Sequence, residues 1–146
     1  MKELADELRS VVGRTAQRLL VLSEAEAEAA RLPGQWVRKE ILGHLIDSAA
    51  NNQQRFVRAQ SVSPLVLPGY DQQAWVSVHR YREHRWSDLV ELWSVLNLHL
   101  AVVIEGVPAD RLQTPCIIGD HEASPLEWWI RDYLRHLKHH LEQIVP

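Results

Sequence analysis

Cysteine is almost absent from this 146-residue sequence, which has Cys116 and no second cysteine. An internal disulfide is therefore excluded, and a chain without disulfides is typical of a reducing compartment. We accordingly expect a cytoplasmic protein. No apolar run in the sequence approaches the roughly 20 residues that a membrane span needs, so we expect no membrane partner.

An excess of positive charge is also lacking, because 16 lysines and arginines face 19 acidic residues and the net charge is −3. Nucleic-acid binding needs a clustered basic face, so we expect no nucleic-acid partner. Phenylalanine occurs once, whereas there are six tryptophans and eight histidines. The tryptophan excess favours a homodimer, since aromatic residues are enriched at interfaces. The histidines raise the question of a metal site.

Four segments with apolar residues at helical spacing predict long helices. They cover residues 2–22, residues 37–60, a stretch that Ser87 caps and Gly106 ends, and a stretch that Ser124 caps and that runs to about Ile144. Together they predict one all-α domain over residues 1–146, a four-helix bundle. Residues 62–69 are expected to be an extended linker, and Gly119-Asp120 predicts a small hairpin before the last helix.

Shorter signals punctuate the chain between these helices. Ser23, followed by Glu24 and Glu26, is typical of an N-cap with acidic residues in the first helical turn. Asp71 is expected to cap a short helix that includes Trp75 and Val78. These signals predict short helical spacers between the long helices.

Two histidines lie four residues apart on the last predicted helix, His136 and His140, at the edge of its apolar stripe. This spacing puts both rings on one face, where they can grip a metal ion. Two half-buried histidines with ordinary hydrogen bonds explain the same pattern. His139 is expected further round, toward solvent.

A polar seam runs along the second long helix through His44, Ser48, Asn51 and Arg55. Such a seam is either a solvated flank or the lining of an internal site. Asp47, one turn from His44, could orient a ligand or pair with Arg55 or Lys39. If this helix packs near the last one, His44 completes a three-nitrogen site, which suits Zn²⁺, Ni²⁺, Co²⁺ or Fe²⁺.

Two familiar metal chemistries do not fit. Leu137 follows His136 where a metalloprotease helix needs a glutamate. Asp132 precedes His136 by four residues, not by the three of a di-iron bundle.

Two segments resemble the DinB-like superfamily: Trp36 to Ser48 (W-x-x-K-E-I-L-G-H-L-I-D-S) and Asp132 to Ile144 (D-Y-L-x-H-L-x-H-H-L-x-Q-I). Gly69-Tyr70-Asp71-Gln72 with Trp75 resembles its connecting stretch. The resemblance implies a four-helix bundle, often dimeric, whose three-histidine site binds zinc or nickel. It maps the ligands onto His44, His136 and His140 and leaves out His139. Relatives include metal-dependent thiol S-transferases and mycothiol-dependent isomerases.

Two hypotheses for function follow. In the first, the metal activates a low-molecular-weight thiol for attack on an electrophile, with Asp47 and Arg55 as supporting residues. In the second, the protein is a non-catalytic metal-binding protein with a regulatory, stress-related or structural role.

Other polar residues receive weaker predictions. Arg55 and Arg58 are candidates for holding an anionic substrate or a thiol carboxylate, unless both are surface charges. Cys116 is expected to be a packed, inert thiol. Three further residues receive predictions from their positions alone: Asn97 is expected to face the polar seam, His121 to lie near the site mouth, and His99 to lie in solvent.

Overall fold

Four long helices dominate the computed structural model, which describes residues 1–30 and 32–145. They are α1 (Lys2–Leu20), α3 (Arg38–Arg58), α5 (Trp86–Glu105) and α6 (Leu126–Ile144). Each lies within a few residues of its predicted position. The four-helix bundle predicted from the sequence is therefore confirmed.

The long helices pack in a ring in which α1 contacts α5 and α6, and α3 also contacts α5 and α6. Their inward faces form one hydrophobic cluster. Its largest fully buried side chains include Leu8, Leu42, Phe56, Trp93, Leu100, Ile130 and Tyr133. The packing of α3 against α6 is the contact that matters for function, because both histidine-bearing segments lie on these helices.

Two shorter helices join the long ones, and their caps were predicted correctly. The Ser23 hydroxyl accepts a hydrogen bond from the Glu26 amide, and the Glu26 carboxylate accepts one from the Ser23 amide, so α2 (Glu24–Ala27) begins with a capping box. Asp71 caps α4 (Gln72–His79) by accepting a hydrogen bond from the Ala74 amide.

A small three-stranded sheet closes one side of the bundle, with β1 (Leu65–Leu67), β2 (Pro115–Ile118) and β3 (Ser124–Pro125) in that order. The antiparallel pair β2–β3 confirms the predicted hairpin. The linker prediction for residues 62–69 was wrong in part, because β1 pairs in parallel with β2. Gly119, at φ +58°, lies close enough to Gly69 that a side chain would crowd its backbone.

Two predicted helix starts also need correction. The helix α5 begins at Trp86 after Arg85, one residue before the expected cap Ser87. Ser124 does not cap α6, because Ser124 and Pro125 are extended and form β3. Strand pairing with β2 overrides the local capping signal at this position.

The helix α5 is more apolar than the sequence analysis allowed, since by length and composition alone it could cross a membrane. The expectation that no such segment exists is therefore corrected. A core helix of a bundle passes the same test, and one face of α5 is buried against α1 and α3. Its outer face carries an apolar stripe, here called the α5 stripe, 43–60% exposed: Leu92, Val95, Leu98 and Val102.

Candidate metal centre

The three predicted histidines come together between α3 and α6. His136 and His140 are one turn apart on α6, and their ring centroids lie 4.6 Å apart. His44 projects from α3 with its ring centroid 5.1 Å from that of His136 and 4.9 Å from that of His140. One ring nitrogen of each residue lies within 4.8 Å of the other two. We call this cluster the three-histidine group.

Burial keeps these rings neutral. His44 is completely buried, and burial, with smaller contributions from His136 and His140, lowers its pKa to about 3. Burial, then the neighbouring His140, lowers the pKa of His136 to about 4, and burial also lowers the pKa of His140. All three imidazoles are therefore neutral at pH 7, so each has one ring nitrogen with a free lone pair, which metal binding requires.

The geometry suits one divalent ion. The Nε2 atoms of His44 and His136 lie 3.2 Å apart. Two nitrogens bound tetrahedrally to one zinc ion are separated by about 3.3 Å, because each Zn–N bond is about 2.0–2.1 Å. Nδ1 of His44 is buried without a hydrogen-bond partner among the described residues. A buried polar atom without such a partner is costly.

Gln143 orients His140, and sequence reasoning missed it. The Nδ1–H group of His140 donates to Oε1 of Gln143 over 3.2 Å, and the Gln143 amide nitrogen donates to Nε2 of His139 over 3.1 Å. With its proton on Nδ1, His140 presents the lone pair of Nε2 to the group. Histidine ligands in metalloproteins are commonly oriented by such a second hydrogen bond. The i, i+3 spacing of His140 and Gln143 was the available signal.

A cavity of about 870 Å³ opens beside the group and has His136 in its wall. Side chains of α3 and α6 form two walls, and the loops after β1 and β2 form the rim. We call it the α3–α6 cavity. It is lined by Ser48, Asn52, Arg55, Val66–Tyr70, Gln72, Ile118–His121, Trp129, Asp132, Tyr133 and His136.

The polar seam therefore lines an internal site, with one exception. Ser48 and Arg55 reach the cavity, but Asn52 does so in place of Asn51. The Asn51 amide instead donates to the backbone carbonyl of Asp47. The helical period brings positions 44, 48, 52 and 55 to the same face.

The sequence profile of the DinB superfamily matches residues 7–144, nearly the whole chain. The chain belongs to the DinB superfamily. Among curated proteins, none matches it in sequence.

Two solved structures share the fold of this DinB-superfamily chain. YfiT from Bacillus subtilis, described as a probable metal-dependent hydrolase with an unusual four-helix bundle topology, superposes with a TM-score of 0.81 at 21% identity, over 99% of this chain and 85% of its own. A mycothiol-dependent maleylpyruvate isomerase superposes with a TM-score of 0.76 at 15% identity, over 99% of this chain. This chain spans 60% of the isomerase's length.

The partners of Asp47 differ from those that both interpretations of the sequence predicted. Its side chain is 2% exposed, and Oδ1 accepts a hydrogen bond from the Tyr81 hydroxyl over 2.6 Å and lies 2.8 Å from Nδ1 of His79. It therefore neither orients His44 nor pairs with Arg55 or Lys39. Burial raises the pKa of Asp47, while Tyr81 and His79 oppose that shift. The hydrogen bond between Asp47 and Tyr81 holds the residues around Tyr81 against α3.

Gly43 makes this contact possible. A Cβ at Gly43 would lie 2.0 Å from Cδ2 of Tyr81, so the ring can pack on α3 only because position 43 has no side chain.

Arg55 enters the cavity, whereas Arg58 stays on the surface and donates to Gln54. The Arg55 guanidinium carbon lies 5.2 Å from the Trp129 ring centroid, and Nη1 donates to Oδ1 of the Asn52 side chain over 3.2 Å. Burial is the largest effect on Arg55 and lowers its pKa.

The remaining candidates divide between the core and the cavity. Cys116 is buried and burial raises the pKa of its thiol, which agrees with a packed, unreactive cysteine. The prediction for Asn97 was wrong, because Asn97 is fully buried in the core, where its carbonyl accepts a hydrogen bond from Tyr133. His121 lies at the cavity rim, edge-on to Trp129, and His99 is exposed.

Proposed function

We propose that this chain binds one divalent metal ion, zinc or nickel, through His44, His136 and His140 and activates a low-molecular-weight thiol for transfer to an electrophile. One observation carries the proposal: three neutral imidazoles converge at the wall of a cavity in which His136 is itself a lining residue. A small molecule in that cavity can reach a fourth coordination position.

The charge of the donor set favours a thiol at that position. His44, His136 and His140 are neutral donors, so an ion held by them would keep its full positive charge and would supply acidity to a thiol placed beside it. In the transfer, the thiol sulfur would form a bond to the electrophilic carbon as the leaving group departs from that carbon with its bonding electron pair, and the thiol proton would pass to solvent.

The chain's own residues hold and orient the reactants. His44, His136 and His140 fix the reacting centre between two packed helices, and Gln143 fixes the ring of His140. The α3–α6 cavity receives the second substrate, with Trp129 and Tyr70 as flat walls and the Ser48 hydroxyl as a hydrogen-bonding group.

Both fold relatives support parts of this proposal. The isomerase is named as mycothiol-dependent, which supports a thiol as co-substrate. YfiT is described as a probable metal-dependent hydrolase, which supports the metal and makes water a competing occupant of the fourth position.

The non-catalytic alternative also has an observation in its favour. The three-histidine group joins α3 to α6, so a bound ion would fasten two helices whose ligands are 92 residues apart in the chain. A protein that uses the metal for stability alone would show a large rise in melting temperature on metal binding and no turnover.

The test uses full-length protein loaded separately with zinc and nickel, a panel of thiols, and 1-chloro-2,4-dinitrobenzene as electrophile, from which chloride leaves. Bound metal is counted by elemental analysis. His140→Ala removes one proposed ligand, and His99→Ala removes an exposed histidine as the matched control.

We expect one metal ion per chain and metal-dependent thioether formation in the wild type and in His99→Ala, with both lost in His140→Ala. Equal metal content in wild type and His140→Ala would refute the three-histidine site. Bound metal without thioether formation across the panel would refute the transferase and leave the non-catalytic alternative.

A further inference from the structure

We propose that Arg55, positioned by Asn52, forms a carboxylate-binding subsite with Tyr70 in the α3–α6 cavity. The small molecule that reacts at the three-histidine group then carries a carboxylate a few bonds from its reacting atom. The inference rests on the proposed function for the position of that atom, but the subsite itself depends only on residues of the cavity.

The charge of Arg55 lacks a counter-ion. Its guanidinium is half-buried over Trp129, and its Nη1 atom donates a hydrogen bond to the neutral side-chain amide oxygen of Asn52. Within residues 1–30 and 32–145, no carboxylate oxygen lies within ion-pair distance of it; the carboxylate of Asp132, which also lines the cavity, is paired with Arg135. A buried charge is costly unless it is paired, so a ligand anion would compensate Arg55.

Exposed arginines of the same chain behave differently. Ion pairs with acidic side chains hold many of them, although their need for a partner in water is smaller. These pairs are Arg80–Glu83, Arg85–Asp88 and Arg131–Glu127. Arg55 therefore keeps N–H donors that a ligand can use. Its burial in the cavity makes the interaction of these donors with an anion stronger than it would be in water.

The neighbours of Arg55 suit a carboxylate. Arginine presents parallel N–H donors that match the two oxygens of a carboxylate. Burial raises the pKa of Tyr70 to about 12, so its hydroxyl keeps a proton and can donate as well. A phosphate dianion fits less well, because the other acids of the cavity, Asp120 and Asp132, add negative charge and His121 lies only at its rim.

The helix geometry sets the length of the ligand. The helices α3 and α6 run antiparallel, since Arg38 at the start of α3 donates to the carbonyl of Ile144 at the end of α6. Trp129, under the guanidinium, and His136 are seven residues apart on α6, which is roughly 10 Å along the axis. A metal–ligand bond and a hydrogen bond occupy about half of that span. The ligand's carboxylate should therefore lie roughly 5 Å from its metal-bound atom.

The first arm of the test measures thiol binding in the cobalt-loaded protein through the sulfur-to-cobalt charge-transfer band. The probes are 4-mercaptobutyrate and its neutral analogue 4-mercaptobutyramide. We expect the acid to bind about 10-fold more tightly in the wild type. Arg55→Met should abolish the preference, and Arg58→Met, an exposed arginine one turn further along α3, should retain it.

The second arm asks whether the carboxylate belongs to the other substrate. Butyrate and butyramide are titrated into zinc-loaded protein while the indole N–H resonance of Trp129 is followed by NMR. One outcome is that the two thiols bind equally, while butyrate shifts the Trp129 indole resonance in the wild type but not in Arg55→Met. That outcome would support the subsite and assign the carboxylate to the electrophile.

Absence of an Arg55-dependent preference in both arms would overturn the inference. Absence of any charge-transfer band in cobalt-loaded wild type would instead refute thiol activation, and the butyrate arm would still decide the subsite. If Arg55→Met does not fold, the comparison of acid with amide in the wild type decides alone.

Discussion

Replacing His44 by leucine should make the metal-free protein more stable while removing its response to metal. Leucine is close to histidine in volume and suits a fully buried position. The substitution removes Nδ1, which is buried without a hydrogen-bond partner among the described residues. An unpaired buried polar atom costs about 1–3 kcal/mol, but leucine also removes the hydrogen bond between Nε2 of His44 and Nε2 of His136, so we expect the free energy of unfolding to rise by only about 1 kcal/mol at pH 7.

The advantage of the leucine variant should grow as the pH falls. The pKa of His44 is about 3 in the folded protein, against 6.5 for an unperturbed histidine. The unfolded chain therefore binds the extra proton first, and wild-type stability is lost as the pH falls below 6.5. At pH 5 this loss is roughly 2 kcal/mol, which the variant avoids. Both proteins share the similar loss from His136, whose pKa is about 4.

Metal should reverse the order of stability. At a free metal concentration 100 times the dissociation constant, binding stabilises the folded wild type by about 2.7 kcal/mol. The leucine variant has lost one of three proposed ligands and should gain much less. Holo wild type should thus be more stable than the variant, although apo wild type is less stable.

The assay is urea unfolding followed by circular dichroism, at pH 7 and pH 5, with a chelator or with zinc. His99→Leu, an exposed histidine on α5, is the matched control and should follow the wild type in all four conditions. The reasoning is refuted if the metal-free His44→Leu protein is less stable than wild type, or if its pH dependence is unchanged.

Three further predictions follow from other contacts. Gln143→Ala should weaken zinc binding at least about 10-fold in a competition titration, because His140 loses its orienting partner; unchanged affinity would contradict that role. Gly43→Ala should lower the free energy of unfolding by about 1–3 kcal/mol in urea, because the new methyl group overlaps Tyr81; a gain from helix propensity alone would contradict it. If two copies pair through their α5 stripes around a twofold axis, as we propose for the expected homodimer, Leu98→Glu should halve the mass measured by light scattering; an unchanged dimer would place the interface elsewhere.

The parts of the site that were predictable depend on helical periodicity. The i, i+4 spacing of His136 and His140 places both rings on one face of any helix, and the structure keeps them there. Periodicity could not say which helix faces them, and the position of His44 came from the family resemblance. The packing of α3 on α6 depends on contacts between residues about 90 positions apart, which no local pattern encodes.

The misses have the same origin. The strand β1 is three residues long, lies between Pro64 and Pro68, and is defined by its pairing with β2 about 50 residues later. The sequence predicted partners for Asp47 on its own helix, but its side chain accepts a hydrogen bond from Tyr81, which is 34 residues further along the chain. In both cases a contact with a distant part of the chain, and not the local sequence, determines the structure.

The long separation between His44 and His136 also has a consequence for the folding of the chain. An ion bound to both would act as a reversible cross-link around a loop that contains β1, α4, α5 and β2. Closing so long a loop is entropically unfavourable before other contacts form, so the ligands can meet only after α6 has docked on α3. Metal binding would therefore indicate that the four helices have packed together. The metal-free chain would have to fold through its hydrophobic contacts alone.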